Sequence, residues 1–175
     1  MQPNLGNLQK KIRENRDIID RISARLPGFK GYAERAEGHD TDAIVRNLLV
    51  DRLRKFKSGI NARSLELTQR GEHRTLPHLE SLSVLLETLV KKCQHAVTGA
   101  SASLSGVAVA ENDMTRLLEY DWSLIALTDD LEKKADEIRT ASADNLGAVT
   151  RDFGNRLREF EKSFDERKNV LLEVL

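Results

Sequence analysis

The chain of 175 residues carries 28 basic and 28 acidic side chains, so its formal net charge at pH 7 is zero. This balance argues against a protein that coats nucleic acid or anionic lipid through bulk charge. The aromatic content of 5% argues against a stacking platform for single-stranded nucleic acid. Hydrophobic residues make up 39% of the sequence, which is enough for one core, and we predict a single helical-bundle domain over residues 1–175.

The sequence favours a reducing compartment. Its one cysteine, Cys93, excludes an intramolecular disulfide and a CxxC-type zinc site. A lone thiol is typical of intracellular proteins. The sequence does not open on a basic segment followed by an apolar run, and no stretch reaches the roughly 18 apolar residues of a membrane span. We therefore expect a cytoplasmic protein without a transmembrane segment.

The first predicted helix extends from Leu5 to Leu26. Its apolar residues recur at alternating intervals of three and four, which is the period of a coiled-coil seam. Pro27 and Gly28 then end the helix, because proline interrupts the hydrogen-bond ladder and glycine tolerates the turn.

A second helix is predicted from about Tyr32 to Gln69, closed by the polar stretch 70–74. Two interpretations compete for its first half. Gly38 kinks one long helix, at a cost of about 1 kcal/mol relative to alanine, or Asp40 caps a new helix that begins there. We favour the continuous helix.

Three further helices are predicted after Gly71. Thr75 is expected to cap the third helix, with Pro77 in its first turn. The fourth helix starts between residues 111 and 113 and ends near Thr140, and the last extends from about Ser142 to the C-terminus. The apolar seam of the third helix consists of Leu79, Leu82, Leu86, Leu89, Cys93 and Val97.

These elements predict an all-α fold. No strand pattern is present, and short connections place consecutive helices side by side in opposite directions. We expect an elongated antiparallel up-and-down bundle of about five helices, four of them long.

Three stretches carry a resemblance to a known group. They are the turn Leu26-Pro27-Gly28-Phe29-Lys30-Gly31-Tyr32, the charged helix after it, and the segment 117–124 with its Tyr120-Asp121-Trp122 sequence. Together they resemble a poorly characterised family of small helical proteins of bacteria and archaea, in which a Pro-Gly-aromatic-Lys-Gly-Tyr turn joins two helices. The resemblance implies an all-helical fold and no particular chemistry. Phe29, Lys30 and Tyr32 in this turn are a candidate contact surface for a partner, or they staple two helix ends.

Asp121 is the polar exception on the seam of the fourth helix, between Leu117 and Leu124. A buried charge is expensive unless it is paired. We favour an ion pair with an arginine of a neighbouring helix, or a small rotation of the helix that leaves the carboxylate at its edge. The alternative is a ligand or proton-binding position.

The charges are unevenly distributed along the chain. Residues 46–74 carry a net charge of +5, and residues 111–144 carry −6. The two segments neutralise each other if their helices are neighbours, or they form opposed surfaces for association with another copy. A candidate basic patch for phosphate contacts consists of Arg52, Arg54, Lys55 and Lys57.

No constellation in the sequence predicts catalysis or a resident cofactor. Cys93 lies on an apolar seam, where cysteine acts as a small hydrophobe, and no Glu-x-x-His pair indicates a metal site between helices. We predict a non-enzymatic bundle that binds a protein partner or self-associates, with no catalytic residues, metal or cofactor. One alternative is a bundle with a small-ligand or metal site near Asp121. The other is a regulator that contacts nucleic acid or a membrane surface through the basic second helix, although a nucleic-acid partner is not our expectation.

Overall fold

The structure, a computed structural model, describes residues 39–96 and 111–174, together with Asp20 and Ala24. This part of the chain is all-helical and contains no strand. Its four helices are α1 (His39–Gln69), α2 (Leu76–His95), α3 (Glu111–Thr140) and α4 (Ala143–Val174). The described ranges thus contain four helices, where about five were predicted for the whole chain. The predicted first helix lies outside them apart from Asp20 and Ala24, and so does the junction at Gly38.

Gly71 ends α1 as the sequence predicts. The Glu72 amide donates to the Leu67 carbonyl over 2.9 Å, and the Gly71 amide donates to the Thr68 carbonyl over 3.1 Å. This pair of bonds is the Schellman arrangement, which satisfies carbonyls at a helix C-terminus. It requires a left-handed residue after the helix, and Gly71 has φ +74°. A side chain at this position would be strained.

Thr75 precedes α2, but the prediction that its side chain caps this helix is wrong. Its backbone is helical, with φ −99° and ψ −6°, and the hydroxyl makes no capping hydrogen bond. A capping side chain needs an extended backbone to reach the free amides of the first turn. Pro77 occupies the first turn as predicted, where a missing amide leaves no hydrogen bond unmade.

The predicted seams form the core. Five of the six predicted seam residues of α2 are buried, and Val97 lies outside the described residues. Leu124, Thr128, Leu131 and Ile138 of α3 are likewise almost fully buried. At the centre, Phe56 of α1 meets Phe153 of α4 edge to face, with ring centroids 6.2 Å apart. The buried side chains of α4 include Leu146, Phe153, Leu157, Phe160 and Phe164.

The helices form two antiparallel hairpins, α1–α2 and α3–α4, that pack side by side. Contacts join α1 to α2 and α3, and join α4 to α2 and α3. Within the first hairpin Arg46 reaches the carbonyl of Ala96, which shows opposite directions. Between the hairpins, contacts advance together along α1 and α3, from Arg52–Thr128 to Arg63–Ala141. The α1–α3 pair is therefore parallel.

The α2–α4 pair is also parallel, since Leu82 lies against Gly154 and Lys92 binds Glu161 and Asp165. The prediction of antiparallel neighbours thus holds within each hairpin and is wrong between them. The stretch 97–110, which is longer than the other two connections, joins α2 to the diagonally placed α3. Chain segments of this length do not force consecutive helices to be neighbours.

Each of the three long helices extends over about 45 Å, given a rise of about 1.5 Å per residue. None of the four described helices combines the length and the apolar composition that crossing a bilayer requires.

Candidate binding groove

The candidate contact residues Phe29, Lys30 and Tyr32 lie outside the described residues. The other predicted site residues are described, and most of them are used inside the bundle.

Asp121 forms the predicted ion pair with an arginine of a neighbouring helix. The partner is Arg167 of α4, whose Nε and Nη2 donate to the two carboxylate oxygens, the second bond being 2.9 Å long. The side chains of Asp121 and Arg167 are 1% and 4% exposed. A bidentate pair of this kind fixes orientation as well as neutralising charge. Both oxygens of Asp121 are therefore engaged by a structural partner.

A second polar contact ties α3 to α4 beside this pair. The hydroxyl of Tyr120 donates to the Ser163 carbonyl over 2.6 Å. Burial, together with the nearby carboxylate of Glu166, raises the pKa of Tyr120 above its ordinary value. The phenol therefore stays protonated and remains a donor at neutral pH.

Arg52 of the predicted basic patch lies in the α1–α3 interface, with only 19% of its side chain exposed. Its Nη1 lies 2.6 Å from both the Thr128 hydroxyl and an Asp129 carboxylate oxygen. Its charge is used to hold two helices together.

Lys55 and Lys57 are also paired. Lys55 binds Glu132 of α3 and Lys57 binds Glu87 of α2, over 2.6 and 2.5 Å. The hydrogen bonds from these lysines lower the pKa values of both glutamates below their ordinary range. Arg54 and Lys55 are the exposed members of the patch. The basic and acidic segments are thus neighbours that neutralise each other, which is one of the two predicted arrangements.

Cys93 is buried on α2, as its seam position predicts. Burial raises the pKa of its thiol to about 12, so the group is neutral and a poor nucleophile at physiological pH. Within the described ranges, no three His, Cys, Asp or Glu side chains are grouped as a metal site requires.

A groove follows the α2–α4 interface on the surface near the hairpin turns, with a cavity volume of about 420 Å³. Leu82 and Gly154 approach each other at its floor. A Cβ atom built on Gly154 would lie 3.3 Å from the Leu82 Cδ2, so glycine permits the close approach of the two helices. The polar side chains along the groove are His78, Ser81, Thr150, Arg151, Asn155 and Arg158.

Arg151 and Arg158 lie on the α4 side of this groove, and both are exposed. The Nε of Arg151 donates to the Gly147 carbonyl over 3.1 Å, and Arg158 donates to the Asn155 side-chain oxygen over 3.2 Å. These acceptors are uncharged. Over residues 39–96 and 111–174, neither arginine has a carboxylate partner.

A second cavity of about 520 Å³ continues from the groove towards the hairpin turns and shares His78 with it. Its lining contains both signs of charge, with Arg74 beside Glu72 and Asp144. The groove itself is lined by Arg151 and Arg158 and, among the described residues, by no carboxylate.

This groove was not predicted from the sequence. A signal was present, because α4 repeats a glycine followed four residues later by an arginine, at Gly147–Arg151 and Gly154–Arg158. Each arginine side chain turns back towards its glycine. Because glycine has no side chain, the helix surface is bare at that position. The repeat alone does not show that α2 lies alongside.

No protein-family model, curated protein or solved structure matches this chain. The resemblance to the family with the Pro-Gly-aromatic-Lys-Gly-Tyr turn stays a prediction.

Proposed function

We propose that the protein is a non-enzymatic helical bundle that works by binding another protein. The observation that supports this proposal is the groove between α2 and α4, where Arg151 and Arg158 are exposed and find no carboxylate partner in the part of the chain that the structure describes. Lys55, Lys57 and Lys92 are paired with carboxylates of neighbouring helices. Arg54 and Lys133 are exposed cations too, but Arg151 and Arg158 line one groove together, and no carboxylate of the described residues lines that groove. Uncompensated charge of one sign attracts a partner of the opposite sign.

The other candidate positions fit structural roles better. A ligand at Asp121 would have to displace Arg167 and leave a buried guanidinium without its counter-ion, which is strongly unfavourable. Phosphate contacts through Arg52, Lys55 and Lys57 would have to compete with the three carboxylates that these residues already bind. Neither the ligand-binding alternative nor the nucleic-acid alternative gains support from these contacts.

The test is affinity capture from native extract with the intact chain as bait, followed by light scattering of the complex rebuilt from purified components. We expect a partner protein, or a second copy of the chain, bound in stoichiometric amount. A chain that remains monomeric at all concentrations and retains no stoichiometric protein would contradict the proposal.

A further inference from the structure

Resting on the proposed function, we infer that the groove between α2 and α4 binds an acidic amphipathic helix of the partner protein. The contacts come from two carboxylates of that helix, one heptad apart, which pair with Arg151 and Arg158. Apolar side chains between the two carboxylates lie on the floor of the groove, against Leu82 and Leu85.

The spacing of the two guanidinium groups selects this kind of partner. Arg151 turns back to the Gly147 carbonyl, and an Nη1 atom of Arg158 lies 3.8 Å from the Cβ position of Gly154. The groups are thus held one heptad apart, or about 10 Å along the helix axis at 1.5 Å per residue. A single phosphate is too small to bridge that distance. Carboxylates at positions i and i+7 of a helix have the same separation.

The floor of the groove is apolar and carries no side chain at Gly154. Gly154 adds no side chain to the floor, and Leu82 and the half-buried Leu85 form its apolar surface. Helices pack by placing a ridge of side chains into the groove of a neighbouring surface. An amphipathic helix with apolar residues at i+3 or i+4 between the two acids presents such a ridge.

The two arginines are also partly ordered before the partner binds. Their hydrogen bonds to Gly147 and Asn155 are made to uncharged oxygens, which restrict the side chains without neutralising them. Less side-chain freedom is then lost on binding, and this favours affinity. Guanidinium groups bind carboxylates in bidentate geometry, which adds specificity.

The test uses a fluorescein-labelled model peptide with two glutamates one heptad apart and leucines between them, about 20 residues long so that it forms a helix. A matched peptide carries glutamines at both positions. Binding is followed by fluorescence anisotropy at low salt and at physiological salt.

The intact chain is compared with the double variant Arg151→Gln/Arg158→Gln. The control is Arg54→Gln/Lys133→Gln, which removes the same charge from two exposed cations on α1 and α3. Circular dichroism checks that both variants are folded.

We expect the intact chain to bind the glutamate peptide at least tenfold more tightly than the glutamine peptide. The groove variant should lose that preference, and the control variant should keep it. Equal binding by the two double variants, or equal binding of the two peptides, would overturn the inference. Duplex DNA is measured in the same assay. If its binding depends on Arg151 and Arg158 and binding of the glutamate peptide does not, the occupant is nucleic acid and the inference is overturned.

Three further outcomes separate this inference from the proposed function. A captured partner that binds the groove variant as tightly as the intact chain overturns the inference and leaves the proposed function intact. A dimer that dissociates only in the groove variant identifies a second copy as the occupant and overturns the choice of a separate partner. If no protein is captured, the proposed function fails, and specific binding of the glutamate peptide would still support the chemistry inferred for the groove.

Discussion

The two parallel interfaces between the hairpins use their charges differently. In the α1–α3 interface, Arg52 and Lys55 bind Asp129 and Glu132, so cations of one helix meet anions of the next. In the α2–α4 interface, Lys92 is paired with two carboxylates near the end of α2, but the groove around Gly154 is flanked by arginines whose acceptors are neutral.

Under the proposed function, this difference separates a surface that stabilises the bundle from a surface that binds a partner. The charges of the α1–α3 interface stabilise the bundle, and a partner would have to displace them before binding. Those of the groove stabilise little, so they are available to a partner at low cost. Substitutions should therefore affect folding at the first interface and binding at the second.

The largest effect on stability is expected at the buried ion pair between Asp121 and Arg167. Replacing Arg167 by methionine leaves the Asp121 carboxylate buried without its counter-ion, and we expect a loss of about 3–5 kcal/mol in the free energy of unfolding. The double variant Asp121→Leu/Arg167→Met should regain most of that loss, because neither charge is then buried. Urea unfolding measures both. A loss below about 1 kcal/mol for Arg167→Met would contradict the structural role of the pair.

The floor of the groove should respond next. In Gly154→Leu, the new side chain must displace Leu82, which lies 3.3 Å from the Cβ position, and we expect a loss of about 1–3 kcal/mol. The matched control is Gly59→Leu on α1, where a Cβ meets nothing within 4 Å. That variant should gain about 0.5–1 kcal/mol from its helix preference. Thermal unfolding compares the two, and equal shifts in Tm would show that the helices do not approach closely at Gly154.

A third comparison sets one arginine of each interface against the other. Arg52→Gln removes charged hydrogen bonds to Asp129 and Thr128 in a half-buried interface, and should cost about 1–2 kcal/mol. Arg151→Gln should change the free energy of unfolding by less than about 0.5 kcal/mol, as is usual for exposed side chains. Chemical denaturation tests the pair. A larger loss for Arg151 would mean that the groove arginines are structural.

The smallest effect on the free energy of unfolding is expected from acid, through the ion pair between Lys55 and Glu132. The pKa of Glu132 is lowered from its ordinary value of 4.5 by the hydrogen bond from Lys55. A lowered pKa in the folded state adds stability that is present above pH 4.5 and is lost as pH falls through the folded pKa. We expect less than about 1 kcal/mol from this exposed pair. The variant Lys55→Gln should flatten the pH dependence of the free energy of unfolding, and an unchanged slope would contradict the pairing.

The helices can be predicted from the sequence because the interactions that form them are local. Seam leucines such as Leu79, Leu82 and Leu86 recur with the period of a helix, and Gly71 supplies the left-handed residue that ends α1. The seam position of Asp121 likewise predicts a buried pair with an arginine or a rotation of the helix, and the structure has the pair. The identity of Arg167 depends on a contact between residues 46 positions apart, which no local pattern specifies.

The arrangement of the hairpins could not be predicted from the sequence, because it too depends on contacts between residues that are far apart in the chain. A seam shows which face of a helix is buried but not which helix it meets, so parallel packing of α1 with α3 and of α2 with α4 was not predicted. The ion pairs of Arg52, Lys55 and Lys57 could not be predicted either, because the carboxylates that bind them lie on other helices. The groove depends on the placement of α2 beside α4, although the repeated glycine–arginine spacing in α4 could have drawn attention to Arg151 and Arg158.

The most direct test of this division of charges is a titration of the isotopically labelled intact chain with the glutamate peptide, observed through the NMR signals of the arginine side chains. The account predicts that the Nε–H signals of Arg151 and Arg158 shift together with backbone amides along the groove, while the signal of Arg52 stays in place. Shifts centred on Arg52 and the α1–α3 interface, or no shift at Arg151 and Arg158, would contradict it.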